Sequence, residues 1–111
     1  MVNKKILIID DETDFGFLMK SFFSSRHHVV FIAQTLAEGM RTLEDEKPDY
    51  IFLDNHLPDG CGWGKTEFIL DNYPHVHLNL ISAMDVPKTS ASSFRILFKP
   101  TMHDELTKIF G

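Results

Sequence analysis

Five polar residues each sit at or just beyond the end of a short apolar run: Asp10 and Asp11 after Lys5 to Ile9, Asp54 after Tyr50 to Leu53, Ser82 after Val76 to Ile81, and Lys99 after Phe94 to Phe98. Carboxylates about 4 Å apart repel by roughly 4 kcal/mol per pair at an effective dielectric near 20. Three of them drawn together therefore need a cation. Oxygen ligation by carboxylates and a backbone carbonyl suits Mg²⁺, which keeps several waters and binds alongside phosphate. Lys99 offers a compact positive charge for one phosphoryl oxygen and Ser82 a hydroxyl donor for another. In that setting Asp54 is the nucleophile, a carboxylate able to form an acyl phosphate.

The elements that would bring these residues together can be read from the spacing of apolar positions. Lys5 to Ile9, His28 to Ala33, Tyr50 to Leu53, Val76 to Ile81 and Phe94 to Phe98 read as strands, and the unbroken apolar run of Tyr50 to Leu53 fits a strand covered on both faces. Between them lie helical patterns. Phe15, Leu18, Met19, Phe22 and Phe23 recur at helical spacing behind Asp14 as N-cap, and Thr35 caps a helix from Leu36 through Glu46 with Leu36, Met40 and Leu43 on its inner stripe. Pro48 stops that helix. Trp63 to Tyr73 gives a third, with Phe68, Ile69 and Tyr73 spaced for burial and Pro74 ending it; Met102 to Phe110 gives a last one through Leu106, Ile109 and Phe110. Strands alternating with helices imply right-handed crossovers and a doubly wound parallel α/β sheet. In such sheets the working site lies at the carboxyl ends of the strands, so the five polar residues are expected to converge there.

Composition narrows the function. A chain of 111 residues is one domain with no room for a separate effector, and 43% hydrophobic with 24% charged residues is ordinary for a globular domain. The net charge of −5, without a Lys/Arg cluster, argues against nucleic acid or an anionic membrane as direct partner. Cys61 is the single cysteine, so no intrachain disulfide forms and a reducing, cytoplasmic setting is expected. Asp10-Asp11-Glu12 ends the first apolar run too early for a signal peptide or a membrane span.

Taken in order, the Asp10-Asp11 pair, the Asp54-x-x-Leu57-Pro58 segment with its glycines, Ser82-Ala83, and Lys99-Pro100 resemble the receiver domain of two-component response regulators, over essentially the whole chain. The resemblance implies a flavodoxin-like sheet of order 2-1-3-4-5. It further implies that Asp54 is phosphorylated from a phosphohistidine of a sensor histidine kinase or histidine phosphotransfer protein. It assigns Mg²⁺ to Asp11, Asp54 and the backbone carbonyl of His56, with Asp10 acting through water, and the phosphoryl group to Ser82, the Ala83 amide and Lys99. Such a domain is a phospho-switch rather than an enzyme, at most catalysing its own phosphorylation and dephosphorylation, and it signals through a separate protein effector.

The chain also departs from that pattern. Ala83 to Ser93 leaves eleven residues for two loops and a helix, with Pro87 inside, so the fourth helix is expected to be degenerate or absent. The shortened segment leaves room for a homodimer. Ile96 stands where the family usually places the Tyr or Phe that swings inward on activation. Asn79 interrupts an apolar strand, which the loss of a covering helix would explain by exposing it to water. These departures motivate an alternative, a phosphorylation-independent pseudo-receiver module. A phosphatase with an Asp nucleophile is the enzyme alternative, but it needs a second acid at position 56, which is His. Taken singly the motifs have plainer readings: Asp10-Asp11 as charges at a helix start, Asp54 as a turn residue, Cys61 as a small half-buried side chain, Trp63 as packing over the loop. Gly64-Lys65-Thr66 ends like a P-loop, yet Asp59 occupies the position of its first glycine.

Overall fold

The computed structural model describes residues 3–82, 94–98 and 106–108. Their elements in chain order are β1 (Lys5–Ile9), α1 (Thr13–Ser24), β2 (Val29–Ala33), α2 (Leu36–Glu46), β3 (Tyr50–Asp54), the short strands β4 (His56–Leu57) and β5 (Gly60–Cys61), a 3-10 turn (Gly62–Lys65), α3 (Thr66–Asn72), β6 (His77–Ser82) and β7 (Phe94–Phe98). The five long strands form one sheet in the order β2-β1-β3-β6-β7, every neighbour parallel. This is the doubly wound parallel α/β sheet expected from the sequence. Residues 83–93, where a degenerate fourth helix was expected, lie outside the described residues, as does most of the last helix; residues 106–108 of it are helical.

Alternation along the strands sorts the core into two layers. Leu7, Ile9, Ile51, Leu53, Leu78 and Leu80 face α2 and α3, meeting Leu36, Leu43 and Ile69. Ile6, Ile8, Phe52 and Ile81 face the other way, against Met19, Phe22 and Phe23 of α1 and against Leu97 and Leu106. Burying one such side chain fully contributes about 1.5–3 kcal/mol. Phe23 sits at the centre of the second layer, its ring 5.1 Å from Phe22 edge-on and 5.4 Å from Phe52.

Several boundaries and faces differ from the sequence reading. Helix α1 begins at Thr13 with Glu12 as N-cap residue, not at Asp14, because Asp10 Oδ1 accepts the Glu12 amide and turns the chain into the helix two residues sooner. Asp14 becomes a first-turn charge on the favourable end of the helix. Leu18 is exposed, and Gly16 is buried against Ile32, where a Cβ would make ordinary contact at 3.5 Å. Phe68 is likewise 47% exposed. The predicted Trp63 to Tyr73 helix is a 3-10 turn followed by α3, in which Ile69 is buried and Tyr73 packs on the core as expected, with Thr66 buried beside them. Asn79 does not see water: it is buried on the α1 side of the sheet, next to Phe52 in register, and its amide Nδ2 donates to the carbonyls of Ile51 and His77, both at 3.3 Å.

His28 precedes β2 rather than starting it. Its Nδ1 accepts the Lys4 amide at 3.1 Å, and its ring meets Phe23 edge-on. Partial burial, with Arg26, His27 and Lys4 nearby, lowers its pKa below the ordinary 6.5. The unfolded chain therefore binds more protons than the folded one between the folded pKa and 6.5, so stability is full above 6.5 and falls as pH drops through that window. Urea unfolding at about pH 7.5 and about pH 5.5 is expected to show a smaller loss on acidification for His28→Gln than for wild type. Equal losses would remove His28 as the origin of the difference.

Candidate functional site

The site forms where the sheet changes direction. The chain leaves β1 toward β2 on one side and returns through α2 to β3 on the other, so the carboxyl ends of β1 and β3 flank the switch point at which doubly wound folds bind ligands. Ile9 pairs with Leu53 in register, which sets Asp10 and Asp54 side by side one residue further on, on the parity of Ile8 and Phe52. Asp10 is 1% and Asp54 6% exposed, while Asp11 is exposed. One carboxylate oxygen from each of Asp10, Asp11 and Asp54 lies within 4.8 Å of the other two. Two buried acids and one exposed acid at that spacing match the donor set of a hard cation such as Mg²⁺, which keeps several of its waters when bound. The convergence of these three residues, inferred from the ends of apolar runs, is present.

The remaining sequence-predicted residues divide. Ser82 is the last residue of β6, paired with Phe98 at the end of β7, and Asp54 stands beside Ile81 in the neighbouring strand. Its backbone is thus at the correct edge of the sheet. Ala83 and Lys99 lie outside the described residues. His56 opens β4, directly after the Asp54-Asn55 step, and pairs with Cys61 across a two-stranded ribbon. Cys61 is exposed rather than half-buried. His77 stacks on Tyr50, with ring centroids 4.7 Å apart and 21° between planes, and among the described residues the Asp10, Asp11 and Asp54 group is the one set of potential metal ligands.

What the sequence reading missed is the framework that holds the loop after Asp54. The Gly62 amide donates to the Asn55 carbonyl at 3.0 Å, the Trp63 amide to Asn55 Oδ1 at 3.2 Å, and the Trp63 indole to the Leu53 carbonyl at 3.2 Å. Trp63 packs over the loop as expected, but through two named hydrogen bonds. Thr66 Oγ1 donates to the Trp63 carbonyl at 2.7 Å, closing the chain into α3. At the tip, Leu57 is buried and Gly60 takes φ of 150°, a backbone conformation that side chains rarely adopt. The carboxylate of Asp59 accepts two amides at the start of α2, from Leu36 at 2.7 Å and Ala37 at 2.9 Å. Those two amides hold the Asp59 pKa below the usual carboxylate range, the Leu36 amide most of all. Proline and glycine around Asp59 announce a turn, but a bond spanning more than twenty residues leaves no local signal.

A parallel sheet with helices on both faces and a carboxylate triad at its switch point defines a doubly wound α/β domain with a candidate cation site. The comparisons with known proteins agree and are more specific. The model of the response regulator receiver domain matches residues 6–110, and the chain belongs to that family. It is 24% identical over 110 residues to the photosynthetic apparatus regulatory protein RegA of Cereibacter sphaeroides, covering 95% of this chain and 60% of RegA. It is 30% identical over 110 residues to the transcriptional regulatory protein DpiA of Escherichia coli, covering 91% of this chain and 48% of DpiA. The chain thus spans about half the length of these curated relatives. Among solved structures, a CheY-like receiver domain from Methanospirillum hungatei superposes with a TM-score of 0.79 at 21% identity, covering 98% of this chain and 94% of that one. The flavodoxin-like order inferred from the resemblance is the order found.

Gly62 is the tightest point of the loop. A Cβ at 62 would run into the carbonyl oxygen of Asp54 and approach Leu53 Cδ1 at 2.8 Å, whereas a Cβ at Gly64 would meet nothing within 4 Å. Gly62→Ala is expected to cost about 1–3 kcal/mol in urea unfolding, the range for forcing a group into a packed site. Gly64→Ala serves as control and should stay within about 0.5 kcal/mol of wild type. Equal effects at the two positions would contradict the close approach to Asp54.

Proposed function

We propose that this receiver domain accepts a phosphoryl group on Asp54 from a phosphohistidine of a sensor histidine kinase or histidine phosphotransfer protein and acts through a separate protein effector. The observation that carries this reading is the approach of the Asp10, Asp11 and Asp54 carboxylates to within 4.8 Å of one another at the switch point of the sheet. Membership of the receiver family supports it. A carboxylate oxygen of Asp54 forms the new P–O bond as the P–N bond to the donor imidazole breaks, and the released nitrogen keeps the electron pair and takes a proton.

In this reading Asp10, Asp11 and Asp54, with the His56 carbonyl, hold Mg²⁺. The ion supplies charge neutralisation for the transferring phosphoryl oxygens. Ser82, the Ala83 amide and Lys99 receive the phosphoryl group, Lys99 as a point charge and Ser82 as a hydroxyl donor. The exchange takes place in the cytoplasm, where the lone Cys61 stays reduced. Retention of all three carboxylates, with two of them buried, supports phosphoacceptance over a phosphorylation-independent module, which would gain nothing from keeping mutually repelling charges.

Intact mass after incubation with a small phosphodonor, with and without Mg²⁺, tests the reading. Wild type is expected to gain one phosphoryl group only with Mg²⁺, and Asp54→Asn none. In metal-free buffer Asp54→Asn should be at least as stable as wild type, because it relieves the repulsion, while Mg²⁺ should raise the wild-type Tm more than that of the variant. Lys99→Ala should leave phosphorylation largely intact and weaken the conformational response that follows. Phosphate uptake by Asp54→Asn, or none by wild type, overturns the assignment.

A further inference from the structure

The Asp59 carboxylate is exposed, yet it makes two short hydrogen bonds tying the phosphoacceptor loop to another element: 2.7 Å to the Leu36 amide and 2.9 Å to the Ala37 amide. Asp59 is not the N-cap residue of helix α2. Thr35 already fills that position, with Oγ1 accepting the Glu38 amide at 3.1 Å. The amides of the first turn are thus shared, Glu38 bonded to its own chain's cap and Leu36 and Ala37 to the loop that begins at Asp54.

The contacts around Asp59 make the tie mechanical. Pro58 and Asp59 form the tip between β4 and β5, so a force at Asp59 is transmitted along both strands of the ribbon, and one of those strands begins at His56. Leu57 and Leu36 share the same buried cluster, and a methyl group at Gly60 would touch Leu36 Cδ2 at 3.7 Å. At the other end the loop is held by Gly62 and Trp63 on Asn55. The stretch between Asp54 and Gly62 is therefore fixed at its tip by α2 and at its base by Asn55.

From this we infer that Asp59 is a positioning residue for the phosphoacceptor site: by clamping the loop tip to the first turn of α2, it fixes the backbone that runs from Asp54 through His56 and so sets the affinity of the carboxylate cluster for Mg²⁺. Asp59 touches neither metal nor phosphate in this role. It couples the site to α2, so that displacement of the loop on one side and of the helix start on the other are one motion. The inference rests on the cation site proposed above.

The test separates positioning from helix stability. Mg²⁺ affinity is measured by Trp63 fluorescence in wild type, Asp59→Ala, Asp59→Asn and Thr35→Ala, with Tm recorded for each. Thr35→Ala removes the other cap of the same helix and leaves the loop alone. Asp59→Ala is expected to weaken Mg²⁺ binding about three- to tenfold, less than the loss usual for a direct neighbour of a metal ligand. Asp59→Asn, which keeps one acceptor oxygen, should recover part of that loss. Thr35→Ala should lower Tm comparably and leave the affinity within about twofold. Unchanged affinity in Asp59→Ala, or an equal loss in Thr35→Ala, overturns the role of Asp59 while leaving the site itself standing. A wild type that neither binds Mg²⁺ nor takes up phosphate overturns the proposed function and this role together.

Discussion

Holding three carboxylate oxygens within 4.8 Å of one another runs against their mutual repulsion, and most of the architecture can be understood as meeting that cost. The parallel register of β1 and β3 leaves no freedom at the point of closest approach: Ile9 opposes Leu53, so Asp10 follows beside Asp54 whatever their charges prefer. Both strands are buried on both faces from Ile6 to Ile9 and from Ile51 to Leu53, and many apolar side chains must lose their packing before the two acids can separate. Hydrophobic burial, distributed over two core layers, thereby holds an electrostatic arrangement that the acids alone would not adopt. A site strained in this way has a built-in preference for whatever brings positive charge.

Rigid strands place the acids, but a loop must complete the site, and loops are the softer part of a fold. Here the loop is short of freedom. Asn55 uses its backbone carbonyl for Gly62 and its side chain for Trp63, so one residue directly after the phosphoacceptor candidate holds the far end of its own loop. The indole of Trp63 returns to the carbonyl of Leu53, one residue before it. Gly62 is needed because no side chain fits between the two ends. Asp54 is thus gripped on both sides by hydrogen bonds to its immediate neighbours, none of which uses its own carboxylate.

The strands and the acid cluster were legible because each depends on a repeated local signal, largely apolar runs for strands and ionisable residues immediately after them, whereas the strand order was implied by the resemblance to receiver domains. What was not legible depends on geometry that has no local trace. Leu18 carries every mark of a core residue, yet the buried face of α1 runs through Gly16, Met19, Phe22 and Phe23, and Leu18 falls outside it. Phe68 fails for a different reason: Ile69 and Tyr73, spaced with it for burial, do pack on the core, but Phe68 lies at the edge of that stripe and α3 is short enough to leave it 47% exposed. The bonds from Asp59 to α2 join segments more than twenty residues apart, and nothing in Pro58-Asp59-Gly60 distinguishes a clamp from an ordinary turn.

Asn79 shows how the two kinds of error combine. Its polarity within β6 suggests exposure, and a missing fourth helix offers a reason for it. The parity of the strand argues otherwise, because Leu78 and Leu80 face α2 and α3 while Asn79 and Ile81 face the layer of α1. A helix following β6 back across the α2 and α3 side would not have covered Asn79 in any case. Its amide is satisfied by the carbonyls of Ile51 and His77, one on the neighbouring strand and one on its own, so the cost of burial is met within the sheet. Because the Ile51 carbonyl belongs to β3, the Asn79 side chain adds a tether from β6 to the strand that presents Asp54. An apolar residue there would have filled the space without making that bond.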